Sequence, residues 1–458
     1  ANRRTLYSMF ILRDLLSLLQ LQFSETKQGR RRSIWFSYTL LAIIVPFTSS
    51  ITSNLLRSLN TLFGFSIPMQ RFYTFMGSST LPWERLWCTL WGMIPSPLVD
   101  GRLLAVLDDS INPKSGRKIF GCGFFHDHAA KGNQNTFPWS QCILMLGLLK
   151  PVKGRWACLP LSFCFYFMKA DVDAALKDES IVNTRFKGEV VPFLTKLDQA
   201  AQMLKKLYSY FKVPVLVVAD SWFGNNGLWS QLKASGGDFH LLSRLRTNSV
   251  LLGLPKPVEE GERRRGRPRK YGKRLGKVSE LAAPLREHAS QYTVDLYGRR
   301  RTVEAYSQVV MVKTLKQKIR VVWVYRRTRY VTLFTTDLSL SVEQIIAYYG
   351  ARWKIESGFK EIKQEIGSAR SQTRNAQAVS NHLQFCMMAT SLTWIYADRL
   401  SYTPSRRHQV QGRSSFAFSD VRRMIAEAAL DKDFQTLLPK AEQQPLNSFI
   451  HTLLRMVA

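Results

Sequence analysis

Over roughly the first hundred residues, apolar side chains recur at helical spacing and strand-like alternation is missing. Residues 6–21, 35–44 and 53–62 are predicted helices. The polar starts Ser49, Ser50 and Ser53, with Arg57 on the helix that follows, would suit a helix-turn-helix-like DNA reader. From Leu103 the pattern changes to short β-type runs. Residues 103–107 end in Asp108-Asp109-Ser110, and 142–149 and 156–168 follow. Residues 194–211 form an amphipathic helix with Leu197, Ala200, Ala201, Leu204 and Leu207 on one side. The unbroken apolar run 213–219, ending in Asp220, reads as a central parallel strand, because a strand covered on both faces has no polar side. Strand, strand, strand, helix, strand is the order of an α/β sheet whose site lies at the carboxyl ends of its strands, where Asp108 and Asp220 stand.

A short helix at 225–234 and a strand at 239–244 precede a basic, Gly/Pro-interrupted loop at 261–274. Residues 291–337 alternate in β fashion, and a helix capped by Ser341, with Glu343 in its first turn, begins after them. Helices are also predicted at 375–400 and 418–456. The chain therefore divides into a helical, DNA-binding region (1–95), an α/β core in two parts (96–245 and 339–400), a β-rich insertion between them (246–338) and a helical C-terminal region (401–458).

Composition narrows the partner. With 45% hydrophobic and 12% aromatic residues in 458, the chain folds and is not disordered. Lys and Arg number 65 against 33 Asp and Glu, a formal charge of +32 spread along the chain, which calls for a polyanion. Apolar runs such as 34–47 and 159–168 are too short or too interrupted to span a bilayer, so nucleic acid is favoured over membrane. Six cysteines without CxxC spacing indicate reduced, mostly buried thiols rather than a zinc site or a disulfide framework. Without a secretory h-region near the N-terminus, a cytoplasmic location is expected.

The sharpest chemistry lies at 349–363. At about 100° per residue, Tyr349, Arg352, Glu356 and Lys363 share a helical stripe roughly 60° wide. Pairs such as Arg352 with Glu356 and Glu356 with Lys360 ordinarily lace a solvent-exposed helix. A single carboxylate inside a phosphate-gripping stripe makes sense, however, if a divalent cation stands between it and the phosphate. Together with Asp108 and Asp220 it supplies the oxygen ligands that two-metal phosphoryl transfer needs, with water or a DNA 3′-hydroxyl as nucleophile. His126-Asp127-His128 is read as a phosphate or hairpin contact and not as a metal site, since hard Mg²⁺ prefers oxygen.

The strand end Asp108-Asp-Ser, the turn Val-Val-Ala-Asp220-Ser-Trp-Phe-Gly and the helix Tyr349-x2-Arg352-x3-Glu356-x6-Lys363 resemble the three blocks of a DDE transposase of bacterial insertion sequences. The last block is similar to the Tyr-Arg-Glu-Lys signature of insertion-sequence family four and its relatives, and the resemblance spans roughly residues 100–390. It implies an RNase H-like catalytic core interrupted by the β-rich insertion. Asp108, Asp220 and Glu356 would be the catalytic metal ligands for two Mg²⁺ ions, with Mn²⁺ as a substitute. Asp109 competes with Asp108, which is preferred because Ser110 fits the third place of the family's first block. Tyr349, Arg352, Lys360 and Lys363 would bind DNA phosphates. Trp323 would stack a flipped base, and Arg267, Arg269 and Lys270, similar to an AT-hook, would form a DNA-binding loop. The implied activity is cutting double-stranded DNA at insertion-sequence ends and joining the 3′-hydroxyl to target DNA, by a homodimer on paired ends in the bacterial cytoplasm, associated with the nucleoid. A metal nuclease without strand transfer and a non-catalytic DNA-binding regulator are the alternatives.

Overall fold

The computed structural model describes residues 3–178, 191–255, 269–408, 411, 415–431 and 433–438. Five helices come first: α1 (Arg3–Gln20), α2 (Lys27–Ile44), α3 (Thr52–Leu62), α4 (Met69–Met76) and α5 (Trp83–Gly92). Thr26 caps α2 by accepting from the Gly29 amide. From Trp35 to Val45 every residue is buried, so α2 is a core helix.

Strand β1 (Leu103–Pro113) is followed by β2 (Cys122–Phe124), β3 (Trp139–Val152) and β4 (Arg155–Tyr166). Then come α6 (Lys169–Lys177), α7 (Lys196–Phe211), β5 (Val215–Ala219), α8 (Asn226–Ala234) and β6 (Phe239–Arg244). Helix α7 opens with a reciprocal cap between Thr195 and Asp198 and closes on Lys212 in the left-handed conformation. β1 pairs parallel with β5 and antiparallel with β3; β3 turns back into β4 through Lys153-Gly154, both at positive φ; β6 pairs parallel with β5. The order β4-β3-β1-β5-β6 thus has β3 alone running against its neighbours. All five β5 residues are buried, as a strand covered on both faces requires.

The sheet continues beyond β6. After β7 (Val250–Leu252), β8 (Arg274–Lys277) and α9 (Val278–Arg286) come β9 (Ser290–Leu296), β10 (Arg299–Val312), β11 (Gln317–Arg326) and β12 (Arg329–Thr335). β12 pairs antiparallel with β6, and β11 and β10 follow outward, β10 taking both β9 and β7. The alternating runs after residue 290 are therefore hydrogen-bonded onto the α/β sheet itself, among the described residues.

The chain returns through α10 (Val342–Ala351) and α11 (Lys354–Lys360), a π turn (Glu361–Glu365), α12 (Ala376–Arg399), α13 (Phe418–Ala429) and the short α14 (Phe434–Leu437). α12 is buried along most of its length and packs against α2, β4 and α13. No helix among the described residues is long and apolar enough to cross a membrane. Cys122, Cys142, Cys158 and Cys386 are buried free thiols and Cys88 and Cys164 are half-buried. Residues 439–458, which include the end of the helical segment predicted at 418–456, lie outside the described residues.

Two sequence expectations change. β1 does not stop at Leu107: it runs on to Pro113, because β3 keeps pairing with it after the parallel partner has ended. Trp323, expected to stack a base, is 0% exposed on β11; α9 covers it, its indole donates to the Val278 carbonyl at 3.4 Å, and no base can reach it.

Candidate active site

The parallel register pairs Leu107 with Ala219, so the next residues, Asp108 within β1 and Asp220 just past the end of β5, stand at the same level on adjacent strands. Asp220 is held by its own turn, its Oδ1 accepting from the amides of Trp222 (2.9 Å) and Phe223 (3.0 Å). The Gly224 amide closes the turn onto the Asp220 carbonyl at 2.9 Å, and Ser243 Oγ donates to the same carbonyl at 2.7 Å. A Cβ at position 224 would lie 2.0 Å from Ser243 Oγ, so only glycine fits.

Side chains alternate along β1, and this separates the two neighbouring aspartates. Asp108 faces Arg352, its Oδ2 being 3.5 Å from Nη1, while its Oδ1 accepts from the Asp109 amide. Asp109 Oδ2 instead receives Lys196 Nζ at 2.8 Å and the Cys142 thiol at 3.6 Å. Lys196, the first residue of α7, also lies over the rings of Tyr166 (5.0 Å) and Trp222 (5.7 Å).

Glu356 arrives on a helix that is not the continuous one the sequence suggested. α10 ends at Ala351, Arg352 and Trp353 make the turn, α11 carries Glu356, and the π turn holds Lys363. Arg352 bridges, its Nη2 lying 3.3 Å from Glu356 Oε1 while Nη1 faces Asp108. It is only 8% exposed, and its Nε has no partner. Tyr349 is half-buried, with its ring 5.8 Å from the guanidinium. Lys363 donates to Ser110 Oγ (2.5 Å) and to the Ile111 carbonyl (2.6 Å), so its ammonium is committed to β1, while Lys360 is exposed.

The electrostatics follow from this crowding. Burial, with Asp220 and Asp109 adding to it, pushes Asp108 up to about 7 against the opposing pull of Arg352. Burial pulls Lys363 down to about 8 and raises the Tyr349 phenol, on which Arg352 and Arg244 act in the opposite sense. Behind the site Glu361 is buried, accepts from the Trp394 indole at 3.0 Å and is pushed up to about 8 by desolvation.

The structure therefore brings Asp108, Asp220, Glu356, Arg352 and Tyr349 together, with Lys363 at the edge. It does not bring in Trp323; Arg269 and Lys270 are exposed before β8, and Arg267 lies outside the described residues. Sequence reasoning missed Lys196, Trp222, Arg244 and Trp353. Arg244 closes β6, and the same strand-end logic that singled out Asp220 would have found it. Trp222 and Trp353 are exposed beside Asp220 and Arg352. Lys196 had no local signal.

The donor chemistry suits a hard divalent cation, three carboxylates with oxygen donors alone. Among the described residues no three acid, His or Cys side chains are drawn close enough to hold an ion as they stand. The Arg352 guanidinium lies between Asp108 and Glu356.

A search of curated proteins finds no match to the sequence. Among solved structures, the chain is similar to a piggyBac transposase in a synaptic complex with hairpin DNA, at 11% identity and a TM-score of 0.43, over 99% of this chain and 85% of that one. A family model for the DDE superfamily endonucleases matches residues 27–313, which includes Asp108 and Asp220 and stops short of Glu356. That match spans more than half of the chain, and the protein belongs to the DDE superfamily endonuclease family.

Proposed function

We propose that this chain is a DNA transposase of the Tyr-Arg-Glu-Lys group, built on an RNase H-like core, that cuts at the ends of an insertion sequence and joins the freed 3′-hydroxyl to target DNA. The observation that carries the reading is the convergence of Asp108 and Asp220, from adjacent parallel strands, on the Arg352–Glu356 pair of a later helix. Asp108, Asp220 and Glu356 would hold Mg²⁺ or Mn²⁺, which when bound activates the attacking oxygen and stabilises the leaving one. Arg352 keeps the carboxylates neutralised, and a phosphate entering beside Tyr349 offers its guanidinium a planar, bidentate partner. Lys360 and Arg244, both exposed, extend the positive rim. The functional unit is a homodimer on two paired ends.

The test uses supercoiled DNA carrying the sequences that flank this coding region. The parent chain cuts it in a Mg²⁺-dependent manner and yields joined products. Asp220→Asn and Glu356→Gln bind the same DNA within about twofold yet lose cutting by on the order of 10³-fold, the loss of several kcal/mol of transition-state stabilisation. Full cutting by either variant would sink the reading, and cutting without joined products leaves the hydrolytic nuclease in its place.

A further inference from the structure

The connection from β1 to β3, residues 114–138, takes no part in the carboxylate site, yet its backbone is fixed. Asp127 Oδ1 accepts from the Ala129 amide (2.9 Å), Lys131 N donates to Gln134 Oε1 (3.1 Å), Phe137 N donates to Asn135 Oδ1 (2.9 Å), and Asp127 N donates to the Thr136 carbonyl (2.8 Å). On this scaffold Phe124 is 49% exposed and Phe137 53% exposed. Phe124 meets Trp139 edge-on at 5.2 Å, and Phe137 meets His126 edge-on at 5.1 Å. The Arg117 guanidinium lies over both Phe124 and Trp139, at 5.2 and 5.3 Å. Arg117, Lys118 and Lys131 are exposed and make no salt bridge among the described residues. The loop leaves β1 at Pro113, two residues past Ile111, whose carbonyl, like Ser110 Oγ, accepts from Lys363, so it starts beside the site.

Half-exposed phenylalanines on an internally hydrogen-bonded loop are an uncovered apolar surface, and the cations among them choose its partner. A duplex would satisfy the cations but hides its base faces, and an apolar protein surface would satisfy the rings but not the charge. Unpaired nucleotides present a π-face and a phosphate together. We propose that Phe124 and Phe137, with Arg117, are a stacking platform for unpaired nucleotides of the DNA strand next to the cut. The adjacency to a cut rests on the reading of the site given above; the preference for unpaired nucleotides does not.

The test measures binding by the whole chain in EDTA, with no cutting required, to a duplex and to the same duplex bearing a single-stranded tail with 2-aminopurine. The parent chain binds the tailed probe more tightly and changes the 2-aminopurine fluorescence. Phe124→Ala/Phe137→Ala loses about tenfold or more on the tailed probe, keeps its affinity for the duplex, and loses the fluorescence change. Phe124→Trp/Phe137→Trp, which preserves aromatic faces, retains all three. An alanine variant with the parent's tail preference overturns the proposal. Equal losses on both probes, with the tryptophan variant also failing, overturn it too. A chain that binds tails in this way but never cuts DNA would refute the transposase reading and leave the platform standing.

Discussion

Asp108 and Asp109 are covalent neighbours with opposite surroundings. Alternation along the strand lets only one of them face the site, but a strand pattern cannot say which side of a sheet a helix will cover. Asp109 is satisfied by Lys196 from α7, whereas Asp108 is left among like charges beside Arg352. Asp108→Asn is therefore expected to abolish cutting, by on the order of 10³-fold, with little change in thermal stability. Asp109→Asn breaks a partly exposed ion pair, which costs about 1 kcal/mol or less of stability and leaves cutting within about tenfold. Cleavage assays and melting curves on the two variants decide it, and reversed effects would move the ligand to Asp109. Lys363 shows the limit of reading roles from residue type: a lysine at a helical offset suggested a phosphate contact, yet its ammonium ties the helix to Ser110 and Ile111.

At the scale of elements, strands and caps were legible and helix regularity was not. The runs that became β5, β6 and β9 to β12 carry their signal locally, as do Ser341 and its reciprocal cap with Gln344. The turn at Arg352-Trp353 and the π turn after Lys360 carry none, because their cause is tertiary: Glu361 reaches inward to Trp394 while Lys363 reaches β1. Trp323 was misjudged for the same reason, since nothing on its strand reveals that α9 lies over it. The π turn also has a pH signature. Glu361 binds its proton more tightly folded than unfolded, so between about 4.5 and about 8 the folded state holds the extra proton and stability falls as pH rises. Glu361→Gln, which can still accept from Trp394, removes that dependence. Melting from pH 5 to 8 should show the variant gaining steadily on the parent and exceeding it at pH 8; parallel curves would place the proton elsewhere.

For the whole molecule, charge is the feature the sequence stated most directly. The formal charge is +32, and between Lys27 and Trp83 there are six cations and no acid. Most of the energy of holding DNA should then come from counterion release. The association constant is expected to fall by about 10³- to 10⁵-fold between about 50 and 200 mM salt, as for contacts with six to ten phosphates, when measured by anisotropy across a salt series. A flat response would mean that the charge serves something other than a polyanion.

The pairing of β12 with β6 carries a further consequence. Leu333 lies opposite Arg244, Phe334 opposite Ser243 and Thr335 opposite Leu242. Topologically, everything from Leu245 to Thr332 is the loop of one β-hairpin, and a two-residue turn could close the same two strands. What the long version adds is leverage. α10 packs on β9, with Gly350 against Leu296, so the helix leading to Arg352 and Glu356 is braced by a strand that the hairpin itself does not need. Changes made in β9 are therefore expected to reach the carboxylates through the tilt of that helix, with the bond pattern of β6 and β12 unaltered.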